Sequence, residues 1–322
     1  MQSRFNDNHR NQLLQVFSPL FNDLGNPDDR PKLAHYTSIR TLESILRTNE
    51  IWFSNPLFMN DFEELRFGLQ EGVGLFSENE QIRIACGSEE RFNKLFSIFR
   101  YFANMKEHDL DIYVFCLSEH DTANNDGLLS MWRGYGGNGS GVALVFDANL
   151  FGNIQASPLF FSRIQYFPSE VRKQLLKDKL DQFASLLGPL ELTDNLLWLA
   201  ADIVFSRIIL FALTTKHHGF HEEKEWRFIY LKERDINIKL WPMFGYETGK
   251  RGIEPKLKLK LKPIDGVTSG AFSLDQILYQ VILGPVNTDH AIMSTVQRMF
   301  ELLGQQELKH KVTVSGIPYR AT

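Results

Sequence analysis

The order of apolar and polar positions divides the chain into helical and strand-like stretches. Asn8 to Leu24 places Leu13, Leu14, Val16, Phe17, Leu20 and Phe21 on one helix face, and Asn26-Pro27-Asp28-Asp29 stops it. A short strand, Leu33 to Tyr36, follows. Thr37 or Ser38 then caps a helix through Arg47, with Leu42, Ile45 and Leu46 at helical spacing. Thr48-Asn49-Glu50 turns the chain into a second strand, Ile51 to Ser54, and Pro56 and Asn60-Asp61 mark a loop. Phe62 to Asn104 reads as helical, interrupted near Ser77 to Gln81 and at Gly87-Ser88.

Asp111 to Ser118 is almost continuously apolar, the pattern of a strand covered on both faces. Val142 to Asp147, Phe160 to Phe167, Trp226 to Leu231, Ile277 to Leu283 and Val312 to Ser315 are further strands. Pro168 to Leu187, Leu190 to Thr214 and Asp289 to Leu303 are helices; the second is so apolar that it must be buried. Lys256 to Lys262 alternates lysine with leucine. It reads as a solvated edge strand guarded by lysine, or as a phosphate-contacting face.

Strands and helices mix without strict alternation, which predicts an α+β fold: a split mixed β-sheet with surrounding helices. No Pro/Gly/Ser linker divides the chain. Residues 1–322 therefore read as a single α+β domain, with a helical N-terminal extension (1–30) and a helical insertion at about 168–216.

Composition narrows the classes. The chain is 43% hydrophobic with 26 Phe, enough for a sizeable core, and its net charge of -4 gives no global reason to bind nucleic acid or an anionic membrane. Cys86 and Cys116 make neither a disulfide framework nor a zinc spacing. The polar start lacks a signal peptide, and no window approaches the roughly 20 apolar residues of a membrane span. A cytoplasmic protein without a membrane partner is expected.

Candidate chemistry gathers in two islands. The first runs from Leu33-Ala34-His35-Tyr36-Thr37-Ser38 through Trp52-Phe53-Ser54-Asn55-Pro56 to Met59-Asn60-Asp61. The second is Glu223-Lys224-Glu225-Trp226-Arg227-Phe228. Polar groups set directly beside apolar strands suit a partly buried cleft for a small molecule or nucleotide. Met131-Trp132-Arg133 leads into a glycine-rich stretch, Gly134-Tyr135 to Gly141. Those glycines precede a strand and lack Gly-Lys-Ser/Thr, so they make a close-approach turn, not a phosphate loop.

Each residue has a structural alternative. His35 is a core histidine bonded to a carbonyl, or a ligand contact. Tyr36, its neighbour on a strand, points to the opposite face. Glu225 is the ion-pair partner of Arg227 or Arg133, or a carboxylate held beside a ribose. Trp132 and Arg133 form a packing corner, or Arg133 clamps a diphosphate. Asn60-Asp61 is a turn, with Glu64 as capping partner, or part of the site. His217 and His221 are four apart, but Gly219 breaks the helix they need, and no metal is expected.

These motifs together resemble a widespread bacterial family, domain of unknown function 2971. They are His-Tyr-Thr-Ser, Trp-Phe-Ser-Asn-Pro, Met-Asn-Asp, Met131-Trp132 with Tyr135, Glu-Lys-Glu-Trp-Arg, Ile282 to Pro285 and Ser315 to Arg320. The resemblance spans residues 33 to 320 and implies a setting in phage defence or toxin-like systems. More remotely, His-Tyr on a first strand, a helix, a second strand ending in Ser and a late Glu-x-Glu resemble the ADP-ribosyltransferase fold. That resemblance implies NAD as substrate, with His35 contacting ribose and Ser54 supporting the pocket. It implies Glu225 as the catalytic carboxylate and Glu223 on the acceptor side. Tyr36, Thr37, Asn55, Asn60, Asp61, Trp132, Arg133, Tyr135 and Arg227 complete the expected NAD-binding set. A protein or nucleic acid would accept the ADP-ribose. The competing expectation is a ligand- or nucleic-acid-sensing module without catalysis.

Overall fold

The computed structural model describes residues 7–24, 29–59, 62–104, 110–152, 154, 157–249, 252–287 and 289–320. Helix α1 (Asp7–Phe17) gives way at Pro19 to a single 3-10 turn, shorter than the apolar pattern suggests. Strand β1 (Lys32–Thr37), helix α2 (Ile39–Thr48) and strand β2 (Glu50–Ser54) follow. Ser38 caps α2, its hydroxyl accepting from the Thr41 N–H, and Asn49 ends it in the left-handed region (φ 53°). The long helical stretch is three helices, α3 (Phe62–Ser77), α4 (Glu80–Cys86) and α5 (Glu89–Asn104), interrupted where the sequence loses its periodicity.

Next come β3 (Ile112–Glu119), α6 (Leu129–Gly134), β4 (Val142–Asp147), β5 (Leu159–Arg163) and β6 (Gln165–Phe167). The single strand expected at Phe160 to Phe167 is thus two, separated at Ile164. Helices α7 (Ser169–Leu187) and α8 (Asp194–Thr214) lead to β7 (Thr215–His217), β8 (Glu225–Leu231), β9 (Phe244–Gly249) and β10 (Gly252–Lys260). The chain closes with α9 (Leu274–Ile277), β11 (Leu278–Leu283), α10 (His290–Leu302) and β12 (Val312–Val314).

The elements form two compact units. One is helical, from residues 1–25, 56–110 and 164–220; the other holds the main sheet, from 26–55, 111–163 and 221–322. The helical stretch expected at 168–216 therefore shares its unit with α3 to α5. In that unit α8 is buried around its circumference, from Leu196 to Leu213, against stacked phenylalanines including Phe76 and Phe99. By length and hydropathy α8 meets the criterion for a membrane span, which the sequence reading denied. Yet 78% of its apolar window is covered by protein, so packing uses the surface that lipid would need.

Among the described residues ten strands form the main sheet, in the order β12-β11-β4-β1-β3-β2-β10-β9, with β8 and β5 branching from β3. Within it β11–β12 is parallel and the other described pairs are antiparallel; β6 and β7 form a separate parallel pair. The α+β class and the mixed, mostly antiparallel sheet follow the sequence expectation. The lysine strand does not. β10 lies inside the sheet, between β2 and β9, and β9 is the edge. One face of the sheet carries the larger core, which includes Leu33, Phe53, Phe115, Leu257 and Leu283. The other carries a smaller cluster around Ala34, Tyr36, Trp132 and Ile282.

Candidate functional site

The sheet divides at β3. β8 pairs with β3 from Ile112 to Ser118, so β1 and β2 must share its other edge. β1 holds that edge through Ala34 opposite Ser118, and β2 through Ser54 opposite Val114. Cys116 lies between these two positions, where the strands have parted. Its carbonyl oxygen accepts a hydrogen bond from His35 Nδ1 at 2.9 Å. A carbonyl cannot donate, so Nδ1 carries the proton and neutral His35 keeps Nε2 as an acceptor. The ring stacks on Phe115, centroids 4.4 Å apart, and burial pulls its pKa below the ordinary 6.5.

A cleft of about 680 Å³ opens at this division. The start of α2 supplies Ser38, Arg40 and Thr41; β2 supplies Glu50, Trp52 and Ser54; β9 and β10 supply Tyr246, Glu247, Thr248 and Lys256. Lys256 is buried. Its Nζ lies 2.9 Å from Ser54 Oγ, 3.0 Å from Glu254 and 3.6 Å from Glu247. Lys258 sits over the Trp52 ring at 4.2 Å, and Lys260 pairs with Glu50 at 2.6 Å. Burial raises the Glu50 carboxyl, but hydrogen bonds from Lys260 and Trp52 outweigh it and leave its pKa lowered. The lysines of β10 are therefore tied to carboxylates and an indole. They do not form an open phosphate-binding face.

His35 and Ser54 both line this cleft. Glu225 does not join them. Ala34 pairs with Ser118 and Ser118 with Glu225, so these three share a face, and His35, next to Ala34, points from the opposite one. Glu225 is buried in a bidentate ion pair with Arg227, at 2.7 and 3.1 Å. The expected convergence of His35, Ser54, Arg133 and Glu225 on one pocket is thereby corrected. Glu225 has become the partner of a buried arginine.

The other expected residues have distinct places. Tyr36 faces away from His35, as strand alternation requires, and meets the Trp132 ring edge-on at 4.9 Å. Its hydroxyl accepts from the Leu128 N–H; burial raises its pKa and this bond opposes the rise. Trp132 is fully buried and donates to the Asp126 carbonyl, a packing corner. Arg133 lies over Tyr319 at 5.3 Å, not against the cleft. Tyr135 donates to Glu223 at 2.8 Å. Asn55 is buried and donates to the Ile112 carbonyl, tying the end of β2 to the start of β3. Thr37 ends β1 opposite Val142. A Cβ at Gly141 would collide with the Thr37 carbonyl oxygen, so the glycine turn does serve close backbone approach. Asn60 and Asp61 lie outside the described residues, as does the side chain of Glu64. Among the described residues no His, Cys, Asp and Glu cluster could hold a metal.

Residues 131–228 match the model of the family described as Protein of unknown function (DUF2971). That segment, less than a third of the chain, is similar to this family. The match takes in Met131-Trp132 and Glu225-Trp226-Arg227. No curated protein and no solved structure matches the chain.

The cleft also contains residues that the sequence reading left aside: Arg40, Glu50, Tyr246, Glu247 and Lys256. Lys256 stood in a motif weighed for phosphate and Glu50 beside an island. Tyr246 and Glu247 carried no local signal, because a hairpin remote in sequence brings them in.

Proposed function

We propose that the cleft binds a nucleotide of the NAD type and that the protein consumes it, by ADP-ribosyl transfer or by hydrolysis. The observation that carries this reading is the position of His35. It sits where two strands diverge, with one ring nitrogen committed to Cys116 and the other left as an acceptor for a ligand hydroxyl. The surroundings fit the rest of a dinucleotide. Arg40 and the start of α2 offer positive charge to phosphate, Trp52 offers a ring face, and Glu247 offers a carboxylate. This split-sheet arrangement also supports the ADP-ribosyltransferase-like reading of the fold.

In such a reaction the bond between the ribose anomeric carbon and the nicotinamide nitrogen breaks, and nicotinamide leaves with the electron pair. Water or an acceptor hydroxyl then bonds to that carbon and gives up its proton. Glu247, not Glu225, is the carboxylate placed to stabilise the positive charge that develops. The acceptor is a protein or a nucleic acid, and phage defence is the setting proposed from the family.

Purified protein incubated with NAD⁺ tests the reading, with nicotinamide release followed by chromatography. Release is expected, and Glu247→Gln should lower it by roughly a hundredfold. A second reading, binding without turnover, has one observation in its favour: the Lys256 ammonium lies 3.6 Å from Glu247 and offsets its charge. A rise in melting temperature with NAD⁺ but no nicotinamide would select it. Neither effect at millimolar NAD⁺ overturns both.

A further inference from the structure

The outer edge of β9 offers a surface that no part of this function uses. β9 ends the strand order, so its outward N–H and C=O groups pair with no strand among the described residues. Opposite Tyr246 on β10 stands Pro255, which has no N–H to give. The pairs that can exchange hydrogen bonds with β10 are therefore the flanking ones, Gly245–Lys256 and Glu247–Glu254. Tyr246 turns its backbone donor and acceptor to the open edge.

The face beside that edge is apolar and uncovered. Phe244 lies opposite Leu257 and Thr248 opposite Ile253, so Phe244, Tyr246 and Ile253 share the face that carries Leu257 and Leu259 into the core. Beyond the core it runs on into solvent. Tyr246 is 61% exposed, Ile253 64% and Trp241, beside Phe244, 60%. Exposed edges of this kind are sites of strand addition.

We propose that the occupant is a second copy of this chain, paired β9 to β9 in antiparallel fashion about a two-fold axis at Tyr246. Two-fold pairing with the axis normal to the sheet needs a residue to face its own copy. Centring on Glu247 would set two carboxylates side by side in the close, non-hydrogen-bonded position. Centring on Tyr246 joins its outward N–H and C=O to those of its copy, pairs two aromatic rings on the apolar face, and sets Glu247 opposite Gly245. Charge and hydrogen bonding select the same register. The partner would steady the strand that lends Tyr246 and Glu247 to the cleft wall.

Sedimentation velocity over a concentration series should show a dimer. Ile253→Lys should weaken it at least tenfold without changing the circular dichroism spectrum. Register is read by cysteine crosslinking. Tyr246→Cys should form a disulfide-linked dimer on oxidation, because the paired Cα atoms would lie about 5.5 Å apart. Thr248→Cys, displaced by two residues on each strand, should not. A wild-type chain that stays monomeric up to about millimolar concentration overturns the proposal. So does crosslinking at 248 but not at 246.

Discussion

His35 donates its Nδ1–H to the carbonyl of Cys116 at the point where β1 and β2 leave β3. The bond replaces the ladder partner that the parting strands withdraw. His35→Ala should therefore do more than empty the cleft. It removes the donor to a part-buried carbonyl, and a lost hydrogen bond costs about 0.5–1.5 kcal/mol, measured as a lowered denaturation midpoint. His35→Asn, which retains an N–H donor, should recover part of that loss. Equal loss in both variants would mean that the hydrogen bond contributes nothing.

The same histidine sets an acid limit. Its folded pKa lies below the unfolded 6.5 because burial disfavours the charged ring. Between the two values the unfolded chain binds more protons than the folded one. Stability is then full above about pH 6.5 and falls as pH drops towards the folded value. His120, also lowered by burial, adds in the same direction. The pH dependence of unfolding between 7 and 5 should be shallower in His35→Asn than in the wild type. An unchanged slope would assign the whole effect elsewhere.

Glu225→Gln separates structure from chemistry. The substitution takes one charge out of the buried Glu225–Arg227 ion pair, and breaking such a pair costs about 3–5 kcal/mol. Unfolding in denaturant should shift by that amount, while nicotinamide release per folded molecule stays at the wild-type level. A catalytic Glu225 would give the reverse, a stable and inactive protein.

Much of this fold was legible because its elements state themselves locally. Ser38 and Asn49 punctuate α2, Gly87 ends α4, and the apolar run of β3 declares a strand covered on both sides. The site was legible only in part. Strand alternation correctly separated Tyr36 from His35. It does not act between distant strands, so nothing local revealed that register sets Glu225 on the face away from His35. Edge position was hidden for the same reason. Alternating lysines suggest solvent, but Lys256, Lys258 and Lys260 find Ser54, Trp52 and Glu50 only once β2 lies alongside.

Lys256 offers a double-mutant test of how the cleft wall is held. Its ammonium and the Glu254 carboxylate are both nearly buried, 3.0 Å apart. Lys256→Met alone should destabilise the protein strongly, by about 3–5 kcal/mol, because it breaks a buried ion pair from one side. Adding Glu254→Gln should restore most of the loss, since an amide tolerates burial better than an unpaired charge. Ser54 loses its hydrogen bond in both variants, so it does not distinguish them. The coupling between the two substitutions, read from denaturation of the four proteins of the cycle, should therefore be large. Additive effects would place the stabilisation of Lys256 on Glu247 instead, the exposed carboxylate 3.6 Å away.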